Sequence, residues 1–438
     1  MQSILFIVKS NIDNTALANT NYMPPLGLLS IANTLRFHGY QVDILDFSAR
    51  FYQTEEIDAL IDEKKPVYIG FSVYTENVDS VFQVCRHMKK RHPGIPLVLG
   101  GAHPTMDPDY CKRKRLVDFI LQGDGEHSAL ELAEAICTNQ KLISYKEIQG
   151  LIYLNEKKEY QEGEPKRFIL DMDLLPVVNR DYLPDSFRAG LPTIYSSRGC
   201  PGKCIYCAAP AMSGNHYRVR DIENVFLESL YTVETCQDYQ EIFYCDDTFT
   251  VFEERLLRFI QLCRESRVSF RWRCESRVDS LYRYQYLLKD LKEAGCCRIQ
   301  FGIESGNQEV LNKIRKGLVL PRAYELIDLT IQAGIPVAAS FIFGHYCDTR
   351  ETMEDTLQMM TSLRNKYGSM FSIAHSLNTP FPGTYQYEHK EELGIEMLSN
   401  QFSDLSMTGP AMKTANFDVE DLERFHAEAV KLYQERTA

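Results

Sequence analysis

No run of about 18 apolar residues occurs in this chain of 438 residues, so no segment is expected to span a membrane. The start, Met1-Gln2-Ser3-Ile4, lacks the charged and apolar pattern of a secretory leader. Basic charge is scarce: 48 Lys and Arg stand against 60 Asp and Glu. A net charge of -12 argues against a nucleic-acid backbone as the main partner. No G-x-G-x-x-G follows the first apolar run, which disfavours a nicotinamide cofactor. Cysteine is plentiful, at thirteen residues, but its simplest patterns are missing. Without a leader, a disulfide knot is not expected. Without a second C-x2-C or an H-x3-H pair, a four-ligand structural zinc site is incomplete. Cys85, Cys137 and Cys263 read as small hydrophobes on apolar helix faces. The expected compartment is a reducing cytoplasm.

What is present is a globular composition, with 44% hydrophobic residues and length for two or three domains. Residues 1–140 alternate short apolar runs with amphipathic segments. Ser3 to Val8, Gln41 to Phe47, Val67 to Phe71, Pro96 to Leu99 and Val117 to Leu121 read as buried strands. The pattern Val78–Val81–Cys85–Met88 reads as helix. This alternation predicts a doubly wound, Rossmann-like parallel sheet of the α/β class. Ligands of such sheets bind outside the carboxyl ends of the strands. Those ends carry Lys9 to Pro25, Ser72 to Glu76, Gly100-Gly101-Ala102-His103 and Gly123-Asp124-Gly125-Glu126. Residues 141–190, charged and proline-bearing, read as a linker, with Leu151 to Leu154 as a short strand within it.

Strand–helix alternation resumes over residues 191–385. Strands are expected at Thr193 to Ser197, Glu241 to Cys245, Ser269 to Cys274, Arg298 to Ile303, Val337 to Phe343 and Phe371 to Leu377. Six strand–helix units predict a partial, open (β/α)6 barrel like part of a TIM barrel, with chemistry at the C-terminal strand ends. Gly295 and Gly334 read as helix C-terminal caps. Residues 386–438 are expected to form a helical extension. Leu422, Phe425, Ala429 and Leu432 mark a terminal helix that packs on the barrel and helps close its open side.

One loop dominates the chemistry. Cys200, Cys204 and Cys207, at spacing C-x3-C-x2-C, follow the first barrel strand. Gly199 and Gly202 let the backbone fold tightly around a bulky inorganic core. Three thiolates suit a [4Fe–4S] cluster with one iron left open; an incomplete zinc site is the competing reading.

The loop, with its aromatic Tyr206, resembles the radical S-adenosylmethionine (SAM) superfamily. Other stretches strengthen the resemblance: Asp246-Asp247-Thr248, Glu275-Ser276-Arg277-Val278-Asp279, Gly302-Ile303-Glu304-Ser305-Gly306 and Ser340 to Gly344. The N-terminal half resembles the cobalamin (B12)-binding domain that precedes many radical SAM modules, through Pro25 to Ala32, Leu99 to Pro104 and Gln122 to Glu126. The D-x-H-x-x-G motif, which supplies a lower axial histidine elsewhere, is missing, as it often is in the radical SAM-linked group. A scaffold domain holding no cobalamin is the alternative.

The resemblance implies roles by position. Tyr206 would lie over the SAM adenine; an aromatic packed beneath the loop is the plainer reading. Asp246 or Asp247 would accept from the SAM ammonium, or cap the following segment. Glu304 and Ser305 would contact SAM or its ribose, Arg277 would clamp a carboxylate, and Ser340 would line the cofactor site. Ser72, Tyr74, Gly100, Gly101 and Gly123 would hold cobalamin. Relatives read G-x-P-G-E-T where this chain has Gly344-His345-Tyr346-Cys347-Asp348-Thr349. Asp348-Thr349 would replace Glu-Thr, which frees His345, Tyr346 and Cys347 for substrate chemistry. The implied activity is a cobalamin-dependent radical SAM C-methyltransferase acting on an unactivated carbon of a small molecule. It would use a 5′-deoxyadenosyl radical and methylcobalamin. Its electron donor would be a flavodoxin or ferredoxin. A radical SAM dehydratase, cyclase, epimerase or group transferase, without methyl transfer and without need of cobalamin, is the alternative. No nucleic acid or membrane partner is expected.

Overall fold

A computed structural model of the chain describes residues 2–9, 23–138, 144–179, 192–236 and 241–434. It divides into two compact units, Met1–Leu191 and Pro192–Ala438. The first contains β1 (Ser3–Val8), β2 (Gln41–Asp46), β3 (Ile69–Ser72), β4 (Leu97–Gly100) and β5 (Phe119–Leu121), paired parallel in the order β2-β1-β3-β4-β5. Every residue of β1 is buried, as a strand covered on both faces requires. Helix α1 (Val78–Arg91) buries Val78, Val81, Phe82, Cys85 and Met88. Asp79 in its first turn and Lys89, Lys90 and Arg91 in its last complement the helix dipole.

The expected linker is not one. Its strands β6 (Leu151–Leu154) and β7 (Tyr160–Glu162) add antiparallel to the edge of β5. Leu151, Ile152 and Tyr153 are buried there, so these apolar positions outweigh the surrounding charge.

The second unit is a six-stranded, all-parallel sheet in sequence order: β8 (Thr193–Ile194), β9 (Glu241–Tyr244), β10 (Arg271–Ser276), β11 (Cys296–Glu304), β12 (Val337–Phe343) and β13 (Phe371–Leu377). Among the described residues β8 and β13 are its two edges, which makes it an open barrel. Strand alternation sorts its faces. Trp272, Cys274, Ile299, Phe301, Ala339 and Phe341 are buried in the core beneath the helices. Glu275, Gln300 and Ser340 alternate with them and take the opposite, lumenal face, while Arg277 follows β10 and Glu304 ends β11. Gly295 and Gly334 end their helices at φ +93 and +80. The terminal helix α2 (Val419–Gln434) packs on β12 and β13, with Phe425 stacked on Phe343 at 5.7 Å. The segment before it also carries a short antiparallel pair, Glu396–Met397 with Met412–Lys413, so this extension is not purely helical. Among the described residues no helix is long and apolar enough to cross a membrane.

Candidate active site

The cysteine loop leaves the C-terminal end of β8, and its first turn is shaped by glycine. Gly199 has φ +86, and a Cβ there would lie 2.2 Å from the His216 carbonyl oxygen. Two backbone N–H groups point at sulfur: Gly202 donates to Cys200 Sγ and Ala209 to Cys207 Sγ, each at 3.4 Å. Arg277 Nη1 lies 3.6 Å from Cys204 Sγ. Burial raises the Cys200 thiol and pushes Cys207 up to about 12. Buried sulfurs with N–H donors aimed at them suit thiolates whose charge is balanced by bound iron. The donor set fits a [4Fe–4S] cluster.

The two aspartates after β9 have separate fates. Asp246 is buried and accepts from the Ser196 N–H at 2.6 Å and from the Ser196 and Ser197 hydroxyls at 2.5 and 2.7 Å. It ties β9 to the cysteine loop rather than facing a ligand. Asp247 is exposed at the strand end. Packing and the Asp246 charge raise its carboxyl.

Arg277 is also engaged. Its Nε and Nη2 donate to Asp279 at 2.9 and 3.1 Å, and Nη2 donates to the Lys316 carbonyl at 2.7 Å. A free carboxylate clamp is therefore not what the structure contains. Ser305 is turned into the protein, within 3.3 Å of the Thr356 hydroxyl, and accepts from the Asn307 N–H. That removes it from the expected ligand contacts. Glu304, at φ +72, forms a buried ion pair with Lys316 at 2.6 Å. Lys316 Nζ is also 3.5 Å from the Tyr206 hydroxyl. Burial lowers this ammonium, but Glu304 outweighs it and leaves the group above its ordinary range.

Ser340 joins a polar ladder across three strands. Gln300 Nε2 donates to Glu275 Oε1 at 3.2 Å and to Ser340 Oγ at 3.1 Å. Burial, then the Asp247 and Glu304 charges, push the Glu275 carboxyl up to about 7.

Tyr206 has its ring 5.2 Å from that of His345. His345 is fully buried, and burial followed by the Lys316 charge pushes it down to about 3. Among the described residues neither of its ring nitrogens has a hydrogen-bond partner. The loop carrying it is shaped without the Pro-Gly of relatives. Gly344 takes φ +81, and Asp348 accepts from the Gly344 and His345 N–H groups at 3.1 and 2.8 Å. Thr349 then caps the helix Arg350–Tyr367 through a reciprocal box with Thr352. Asp348-Thr349 is thus a turn and cap. Tyr346 and Cys347 are half-buried on this loop, and burial pushes the Cys347 thiol up to about 12.

The sequence reading missed Lys316 and Gln300 and gave no role to Glu275 or Asp279. The available signal was Gly302, where a Cβ would lie 2.5 Å from Glu304 Oε1 and 2.7 Å from Lys316 Nζ.

In the first unit the strand-end edge is lined by glycine. Gly101 has φ +106, and a Cβ there would press on the Val73 backbone at 2.9 Å. A Cβ on Gly100 would meet nothing within 4 Å, so the edge is open at that point. Thr105, also missed, links the two glycine turns. It donates to the Gly101 carbonyl at 2.8 Å and accepts from the Gly123 N–H at 3.0 Å. Tyr74 follows β3 and is 53% exposed. Ser72 is half-buried at the end of β3, where its carbonyl accepts from Asn77. His103 is buried behind the edge, its Nδ1 3.2 Å from Thr75 Oγ1, and cannot reach a ligand in front of it. Most of the loop Lys9 to Pro25 lies outside the described residues. An open, glycine-lined edge fits a large flat cofactor.

The B12 binding domain family matches residues 16–133, and the radical SAM superfamily matches residues 194–360. The chain is a radical SAM enzyme with a B12 binding domain. Its cofactors are therefore a [4Fe–4S] cluster, SAM and cobalamin. This radical SAM chain is 29% identical over 406 residues to an uncharacterized methyltransferase of Pyrococcus horikoshii, covering 92% of this chain and 85% of the relative. It is 25% identical over 404 residues to the anaerobic magnesium-protoporphyrin IX monomethyl ester cyclase of Rubrivivax gelatinosus, covering 90% and 71%. Its fold matches the cobalamin-dependent SAM radical enzyme OxsB with TM-score 0.78 and 16% identity, over 98% of this chain and 66% of OxsB. The chain thus spans about two thirds of that enzyme's length. It also matches the radical SAM methyltransferase TsrM of Kitasatospora setae, with TM-score 0.76 and 17% identity, over 99% and 91%.

Proposed function

We propose that this enzyme is a cobalamin-dependent C-methyltransferase acting on an unactivated carbon of a small molecule. The observation that carries the reading is the pairing, in one chain, of a three-thiol loop with an open, glycine-lined B12 edge. When bound, the cluster and SAM supply a 5′-deoxyadenosyl radical and cobalamin supplies a transferable methyl group. Cys200, Cys204 and Cys207 hold the cluster, with the Gly202 and Ala209 N–H groups donating to Cys200 Sγ and Cys207 Sγ. Asp247, exposed at the β9 end, takes the SAM ammonium, while Asp246 holds the loop. Tyr206, Glu304 and Lys316 form the wall beside them, and Ser340 belongs to the ladder that lines the lumen. His345 offers an unpartnered ring nitrogen, and Tyr346 and Cys347 extend the substrate side. Ser72, Tyr74, Gly100, Gly101 and Gly123 receive the corrin. A flavodoxin- or ferredoxin-like donor supplies the electron.

The test is anaerobic reconstitution with iron and sulfide, followed by hydroxocobalamin, SAM and a strong reductant. About four irons per chain are expected, and both 5′-deoxyadenosine and S-adenosylhomocysteine should form. Radical chemistry without methyl transfer is the second reading, favoured by the similarity to the cyclase of Rubrivivax gelatinosus. Formation of 5′-deoxyadenosine with no S-adenosylhomocysteine would move the assignment there. Absence of both products overturns the two readings together.

A further inference from the structure

Gly202 is where a side chain in the cysteine loop would strike a cation. A Cβ there would lie 2.4 Å from Arg277 Nη1 and 3.3 Å from Cys200 Sγ. Gly202 is not among the glycines with positive φ, so space rather than backbone shape requires it. The loop is built around the guanidinium. Asp279 takes Nε and one proton of Nη2, and the Lys316 carbonyl takes another. With those edges satisfied, Nη1 is the edge left for sulfur, 3.6 Å from Cys204. The Lys316 ammonium is neutralised by Glu304 at 2.6 Å. Asp279 sits on the far side of the guanidinium, and its side chain is 33% exposed, so water screens it. The fixed positive edge facing the thiolates therefore belongs to Arg277.

We propose that Arg277 sets the reduction potential of the cluster, holding it more easily reduced than the three thiolates alone would. The inference rests on the reading of Cys200, Cys204 and Cys207 as cluster ligands. Reduction adds one electron and hence one negative charge. A cation and an N–H donor at a ligand sulfur stabilise the reduced state more than the oxidised one. Asp279 and the Lys316 carbonyl hold the guanidinium where this effect is largest. A weaker electron donor then suffices to start the reaction.

The test is an EPR-monitored redox titration of the reconstituted full chain. Arg277→Met keeps length and removes charge. It should weaken reduction by about tenfold, a shift of about 59 mV to more negative potential for a one-electron couple. Gly202→Ala keeps every charge but pushes the guanidinium away, and should shift the potential in the same direction by less. Arg277→Lys should fall between Arg277→Met and wild type. An Arg277→Met protein that holds about four irons and titrates at the wild-type potential overturns the proposal. Should that variant not hold iron, Gly202→Ala decides, and an unchanged potential there overturns it equally. A wild-type chain that assembles no cluster overturns the ligand reading instead.

Discussion

His345 is fully buried with two ring nitrogens that bond to nothing among the described residues. A buried polar atom left unpaired costs about 1–3 kcal/mol. Replacing the ring by one of similar shape without nitrogens should remove that cost. His345→Phe should therefore raise the melting temperature of the cofactor-free protein at pH 7.5. The gap should widen on acidification. The folded-state value of His345 is about 3, below an ordinary value of 6.5. A depressed histidine contributes stability that is fully present above 6.5 and is lost as pH falls from there toward about 3. Phenylalanine has no proton to take up, so the variant should gain on wild type through that window. Thermal denaturation at pH 7.5 and 5 checks this, and a lower melting temperature at pH 7.5 would show that His345 has a partner. The cysteines were legible because their spacing alone carries their chemistry. Lys316 was not, because it meets Glu304 only through the backbone path between them. Arg315 and Gly317 both take positive φ there, at +56 and +72. The expectation left Asp246 and Asp247 undivided, because a strand-end carboxylate looks the same in sequence whether it faces a cavity or, as Asp246 does, a neighbouring serine.

The elements were more legible than the contacts between them. β12 and β13 fall on the residues expected, because short, mostly apolar runs rich in Phe, Ile and Val and too brief for a helix favour strands. The stretch after residue 140 was read as linker because short antiparallel strands rich in charge have little periodicity of their own. β11 shows what an element can hide. Its register against β12 shifts between Gly302 and Glu304, and this irregularity turns Glu304 onto Lys316. Lys316→Met should leave the Glu304 carboxylate buried without its cation and lower stability by about 3–5 kcal/mol. Urea unfolding checks it, and a loss below about 1 kcal/mol, the scale of an exposed pair, would mean the pair is solvated. Helix α2 is a second case. Phe425 is fully buried against Phe343, so Phe425→Ala should cost about 3–5 kcal/mol. A cost near zero by the same measurement would mean that the helix detaches without affecting the barrel.

The whole molecule contains two cores, one built on β1 to β6 and the other on the six barrel strands, and each stands under its own candidate cofactor site. Among the described residues, groups of the second unit hold the cysteine loop: Ser213, His216, Asp246, Arg277 and Lys316. Among the described residues, groups of the first unit hold the B12 edge: Val73, Asn77, Thr105 and the glycine turns. Loss of one cofactor should therefore leave the other bound. Substituting Cys200, Cys204 and Cys207 together by Ala removes three buried thiols from a loop whose backbone is held by other residues. That protein should contain no iron and still bind hydroxocobalamin as wild type does. In Gly101→Trp a large side chain is placed at φ +106 against the Val73 backbone, which forces the turn that borders the edge out of shape. That protein should lose hydroxocobalamin and keep its iron. Equilibrium binding and iron analysis on the two full-length variants form a complete cross-test. If the triple Ala variant also loses hydroxocobalamin while its melting temperature is unchanged, cobalamin binding depends on the barrel as well. The B12 edge would then not be sufficient by itself.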